Sequence, residues 1–183
     1  MSAAVSRPRH ARAVVIRPAV EDDLPAITEI YNNLLETTTH EWTETLHTVE
    51  ERREWLATQQ AAGCPVLVAT VDDAAVGWAT YGDFRDAQRW PGYRFTVEHT
   101  IHVAESYWGR GVGRALIHAL ADHARLAGKR VVVAGIDGAN TGSIRFHERL
   151  GFREVARMPG IGDKFGQRLD LVLMQHDLTE PLQ

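Results

Sequence analysis

Between Thr96 and Asp137 the chain carries a β-rich run, TVEHTIHVA, then three closely spaced glycines, a long apolar-periodic stretch and a second β-rich run, KRVVVAGID. A strand, a helix and a further strand in that order form a helical crossover. Upstream, CPVLVATV and AAVGWATYG flank the pair Asp72-Asp73, which reads as a hairpin about an acidic turn. Crossover and hairpin together imply an α/β fold built on a sheet of mixed polarity flanked by helices.

The remaining segments extend that sheet. AVVIRPA (Ala13 to Ala19) reads as the first strand, and Leu24, Ile27, Ile30, Tyr31, Leu34 and Leu35 recur at helical spacing in the segment after it. A second helix is expected from Val49 to Ala62, stopped by Gly63. Asp83 to Phe95 reads as a loop, Thr96 to Ala104 as a strand, and the helix after the glycines ends near Gly128. NTGSIRFHERLGF holds a short helix closed by Gly151. REVARMP and QRLDLVLMQHDL are expected as final strands around a loop, GIGDKFG. Residues 1–12 are expected to fray as a leader before one domain over 13–183.

Composition narrows the functional classes. The net charge of −4 argues against a general binder of nucleic acid or membrane surface. The one cysteine, Cys64, permits no internal disulfide and suits a reducing cytoplasm. The basic first residues are not followed by a signal-peptide core, and no apolar run reaches the roughly 18 residues of a membrane span. Nine histidines invite a metal, but His99 and His102 face opposite ways on a strand and His118 and His123 share no helix face, so no metal site is expected.

The turn WGRGVGRALIHAL opens a helix directly after a strand. Free N–H groups at a helix start, glycines that let backbone approach a ligand, and Arg110 and Arg114 together suit an anion. A plain strand-to-helix turn is the alternative. The dinucleotide pattern G-x-G-x-x-G fails in both registers, at Arg114 and at Leu116, and no triphosphate loop occurs. R/Q-x-x-G-x-G/A fits over Trp108 to Gly113, except that Trp108 stands at the polar first position.

With this turn the chain resembles the GCN5-related N-acetyltransferase superfamily. VEHTIHV, GRGVGRALI, AGIDGANTGSIRFHERLGF and GDKFGQRLDLVLMQ, in that order, are similar to the phosphinothricin and methionine sulfoximine N-acetyltransferases, over about Val14 to Leu178. The resemblance implies acetyl-CoA as co-substrate, an α-amine of a small amino-acid analogue as acceptor, and a homodimer. It implies that Gly109, Arg110, Gly111, Val112, Gly113 and Arg114 seat the pyrophosphate. Ile101, His102 and Val103 would offer backbone N–H groups, and Asn140 and Ser143 further cofactor contacts.

For catalysis the resemblance points to Glu98 as base, acting through water, and to His147 as the acid for the leaving thiolate. The alternatives are an exposed strand-edge charge for Glu98 and a packed ring for His147. Phe84, Arg85, Tyr93 and Arg94, with Glu98, His99 and Thr100, would grip the acceptor, arginine suiting a carboxylate or phosphinate. Lys164 and Phe165, and the helix end NNLLETTTHEW, within the chain or across a dimer, are further candidates for the pocket. Two other functions stay open: the same fold acting on an aminoglycoside, polyamine or protein N-terminus, and a non-catalytic acyl-CoA-binding module.

Overall fold

The computed structural model describes residues 13–183, so the leader expected at 1–12 lies outside the described residues. Seven strands form one sheet in the order β1-β2-β3-β4-β5-β7-β6. They are β1 Val15–Pro18, β2 Val66–Val71, β3 Ala74–Asp83, β4 Thr96–Val103, β5 Val131–Asp137, β6 Arg153–Lys164 and β7 Gln167–Asp177. The helices are α1 Leu24–Thr37, α2 Val49–Ala61, α3 Val112–Leu126 and α4 Thr141–Arg149. The β4–α3–β5 crossover makes the parallel pair; every other neighbouring pair is antiparallel.

Period-2 alternation divides the core into two layers. On β2, Leu67, Ala69 and Val71 face α3 and α4, while Val66 and Val68 face α1 and α2. α3 meets the first layer with Val112, Leu116, Ile117, Leu120, Ala121 and Ala124, a stripe at helical spacing. α1 meets the second with Leu24, Ile27, Ile30, Tyr31 and Leu35. The start of α2 is fixed by a capping box: Thr48 Oγ1 accepts from Glu51 N, and Glu51 Oε2 accepts from Thr48 N at 2.7 Å. Among the described residues no helix is long and apolar enough to cross a membrane.

Two hairpins turn on two left-handed residues each. Asp72 and Asp73 have φ of 49° and 64°, the twist that short hairpin turns demand and that aspartate tolerates. Phe165 and Gly166, with φ of 52° and 69°, join β6 to β7 in the same way. The expected loop GIGDKFG is therefore mostly strand, a correction to the reading from its glycines. β6 continues to Lys164, with a register irregularity between Met158 and Gly162. Gly162 serves close approach: a Cβ there would lie 2.3 Å from the ring of Trp42.

Candidate active site

β4 and β5 pair only from Thr96↔Val131 to Glu98↔Val133. Beyond Glu98 both continue without pairing, β4 held by β3 and β5 by β7 on their outer edges. The divergence opens a cleft of about 940 Å³. Hydrogen bonding alternates along an antiparallel edge, and Ala104 N donates to Val76 O. Even-numbered residues of β4 therefore bond to β3, and the N–H groups of Ile101 and Val103 face the cleft. The N–H of His102 faces β3, so His102 brings its side chain to the wall, not its amide.

One freed carbonyl has a partner inside the chain. Trp108 Nε1 donates to Val103 O at 2.7 Å. This accounts for tryptophan at the turn's first position: its indole N–H closes the end of β4 where β5 has moved away. At the turn itself, Gly109 and Gly111 hold φ of 71° and 83°, with no atom within 4 Å of a built Cβ. α3 has no side-chain cap, and its first bond is Ala115 N to Gly111 O. The N–H groups of Val112, Gly113 and Arg114 are left free at the cleft's end, a ready anion seat. Gly109, Gly111, Gly113 and Arg114 line the cleft. Arg110 does not; its guanidinium lies 5.3 Å from the Tyr107 ring. The side chain of Val112 is in the core.

α4 supplies the facing wall. Asn140 Oδ1 accepts from Ser143 N at 3.0 Å, capping the helix, and both residues line the cleft. His147 is 2% exposed. Its Nδ1 lies 2.8 Å from Ser143 O, so that nitrogen carries the proton. Its Nε2 then accepts from His99 Nε2 at 3.1 Å, with the two rings stacked. Burial lowers the pKa of His147 to about 4 and holds that of His99 well below the usual range. His99 points toward α4, on the face of β4 opposite Glu98.

Glu98 is half-buried, and burial raises its pKa; the charge of Arg85 opposes the shift and that of Glu41 adds to it. Gly135 on β5 makes room for it, since a Cβ there would stand 2.8 Å from Glu98 Oε1. Thr100 lines the same wall.

Leu34 of α1 and the segment between α1 and α2, with His40, Glu41 and Trp42, close another side of the cleft. Thr39 Oγ1 donates to Asp137 Oδ2 at the end of β5, and Glu41 Oε1 lies 3.2 Å from His102 Nε2. The β6–β7 hairpin holds this segment from outside. Lys164, 1% exposed, donates from Nζ to Leu35 O and Thr38 O, both at 2.8 Å, and Phe165 N donates to Glu44 Oε1 at 3.1 Å. Lys164 and Phe165 thus support the wall without lining it. The helix end named from sequence does reach the cleft, and it does so within one chain.

The expected acceptor loop assembles only in part. Phe84, Arg85, Tyr93 and Arg94 do not line the cleft. Arg94 Nη1 donates to Pro91 O at 2.8 Å and its guanidinium lies over Phe95. Phe84 and Tyr93 pack on each other with ring centroids 6.2 Å apart. Arg85 lies over Phe84 and acts on the site through its charge on Glu98.

A diverging strand pair, amides aimed into the gap, a glycine-rich helix start and a half-buried glutamate suit acyl transfer from a phosphate-bearing thioester. The family model described as Acetyltransferase (GNAT) family matches residues 27–152. An L-methionine sulfoximine/L-methionine sulfone acetyltransferase of Salmonella typhimurium is 42% identical over 91% of this chain and 96% of its own. A phosphinothricin N-acetyltransferase of Alcaligenes faecalis is 35% identical over 91% of this chain and 84% of its own. A phosphinothricin acetyltransferase of Sinorhizobium meliloti, solved in complex with acetyl-CoA, superposes with a TM-score of 0.84 at 33% identity, covering 92% of each chain. The chain belongs to the GNAT family of acetyltransferases.

Proposed function

We propose that the protein acetylates the α-amine of a small amino-acid analogue of the methionine sulfoximine, methionine sulfone or phosphinothricin type, with acetyl-CoA as co-substrate. The observation that carries this reading is the gap between β4 and β5 beyond Glu98, with Glu98 and the free N–H groups of Ile101 and Val103 together on its β4 side. Acetyl-CoA supplies an activated acyl group. The free N–H groups of Val112, Gly113 and Arg114 would hold its pyrophosphate, and Asn140 and Ser143 would border it across the cleft.

The acceptor amine enters as an ammonium and must lose a proton before it can attack. Glu98 takes that proton, through water. Its raised pKa brings it closer to working pH, which makes a better proton acceptor than an ordinary carboxylate. The N–H groups of Ile101 and Val103 point into the gap where negative charge develops on the carbonyl oxygen, and they need not move to do so. His147 has its one N–H committed to Ser143 and is neutral near pH 7, so in this arrangement it holds no proton for the sulfur. We assign it the packing of α4 against β4 in place of the acid role expected from sequence. The departing thiolate takes its proton from water in the open cleft.

We also assign the exposed edge of β6 to a homodimer contact. Val155, Met158 and Ile161 on the sheet's last strand, and Phe165 at the turn that follows it, are between 42% and 52% exposed, an apolar row that an isolated chain would leave in water.

Thiol release from acetyl-CoA should appear with at least one of methionine sulfoximine, methionine sulfone and phosphinothricin; no turnover with all three contradicts the reading. Glu98→Gln should lower kcat by about 10²–10⁴-fold. In the native enzyme activity falls as pH drops and Glu98 becomes protonated, with the acid limb above the ordinary glutamate value because the pKa is raised. Glu98→Gln should abolish that limb, and an unchanged profile removes Glu98 as the base. Sedimentation should find a dimer that Ile161→Asp weakens; a native monomer at every concentration contradicts the β6 contact.

A further inference from the structure

Three acidic residues line the cleft: Glu98, Asp137 and Glu41. Glu98 has its role above. Asp137 accepts from Thr39 Oγ1 and from Ala139 N. Glu41 is not used by the reaction, yet it is held in place. Its Oε1 sits 3.2 Å from Nε2 of His102, a ring boxed by Trp78 at 4.9 Å and Tyr31 at 5.3 Å. That Nε2 is buried and makes no well-formed hydrogen bond. Among the described residues no lysine or arginine lies within ion-pair distance of Glu41, whose side chain is 33% exposed. Trp42, seated on Gly162, and the ties from Lys164 and Phe165 keep the segment that carries it in position.

The charges of Arg52 and Lys164 act on Glu41 from a distance, but neither contacts it, and a carboxylate, which can only accept, has room for a hydrogen-bond donor from the cleft. The acceptor's α-amine lies at Glu98, where the proton leaves. Glu98 and His102 share one face of β4, and Glu41, against His102, lines the same cleft near enough for its charge to act on Glu98. An acceptor whose amine is at Glu98 and whose side chain follows this face ends beside Glu41. Building on the acetyl-transfer reading, we propose that Glu41 is a specificity-determining residue. It accepts the N–H at the far end of the acceptor side chain. The enzyme then prefers an acceptor ending in a donor, the sulfoximine N–H, over one ending in oxygens alone, the sulfone, or in an anion, the phosphinate. Its negative charge disfavours the last two directly. The charge of Glu41 also contributes to the raised pKa of Glu98, so the two carboxylates act on the same space.

The test is kcat/KM for methionine sulfoximine, methionine sulfone and phosphinothricin at saturating acetyl-CoA, in the native enzyme and in Glu41→Gln and Glu41→Leu. The native enzyme should favour sulfoximine over sulfone. Glu41→Leu should reduce that ratio by about 10–100-fold, the loss of one hydrogen bond to a charged group. Phosphinothricin turnover should rise in both variants. Glu41→Gln keeps the side chain's shape and a donor-accepting oxygen, so it should fall between native and Glu41→Leu, and it stands in if the leucine variant does not fold. An unchanged ratio overturns the proposal. An equal loss for all three acceptors also overturns it, because Glu41 would then hold the shared α-ammonium. No turnover of any acceptor by the native enzyme overturns the acetyl-transfer reading and this inference with it.

Discussion

The rest of the molecule depends on the failure of β4 and β5 to stay paired. Three residue pairs join them, ending at Glu98↔Val133, and then each strand is held only from its far side. Leaving buried backbone groups unbonded costs on the order of 1–3 kcal/mol each, so an open gap within a sheet has to be supported. The long ladders to β3 and β7 supply that support on the outer edges. Trp108 supplies it on the inner edge by capping Val103 O. What remains unbonded faces a cleft, where a ligand or water can complete it. The same separation opens the cleft and determines which amides face it.

The acceptor side is built differently, from a segment with little regular structure of its own. Residues 38–47 are tied to β5 through Thr39, to β4 through Glu41 and His102, and to the β6–β7 hairpin through Trp42, Glu44 and the Leu35 and Thr38 carbonyls that Lys164 binds. Burial lowers the pKa of Lys164, with the charges of Glu44 and Glu41 opposing the shift, but two carbonyl acceptors satisfy its ammonium. In the proposed reading the thioester side rests on backbone amides, which a change of side chain alters little. The acceptor side rests on individual side chains, where one substitution changes what fits. That division lets one fold keep its chemistry while its amine substrate varies.

Much of the frame was legible in the sequence because it rests on local periodicity. The α3 stripe, the alternation along β2 and β4, the Asp72-Asp73 turn and the glycine-rich helix start follow from residue spacing alone. The site was legible where a residue type has a local use, as at the Asn140 cap. It was not where the deciding quantity is burial or a tertiary partner. An imidazole at position 147 looks like an acid until the ring is found buried against His99 with its proton on Ser143. Trp108 looks misplaced until Val103 O is found beside it. GIGDKFG looks like a loop because close packing to Trp42 and Arg168, invisible in one dimension, is what its glycines serve. Resemblance points to Tyr93 and Arg94 as substrate contacts, whereas Arg94 bonds to Pro91 and Tyr93 packs on Phe84.

The central claim is that the gap between β4 and β5, not a set of side chains, seats the acyl donor. Amide hydrogen exchange on the full chain with and without acetyl-CoA tests it residue by residue. The account predicts new protection at the N–H groups of Ile101, Val103, Val112, Gly113 and Arg114, and no change at His102, whose amide already bonds to β3. Protection confined to other segments, or protection of His102 together with unprotected Ile101 and Val103, would contradict it.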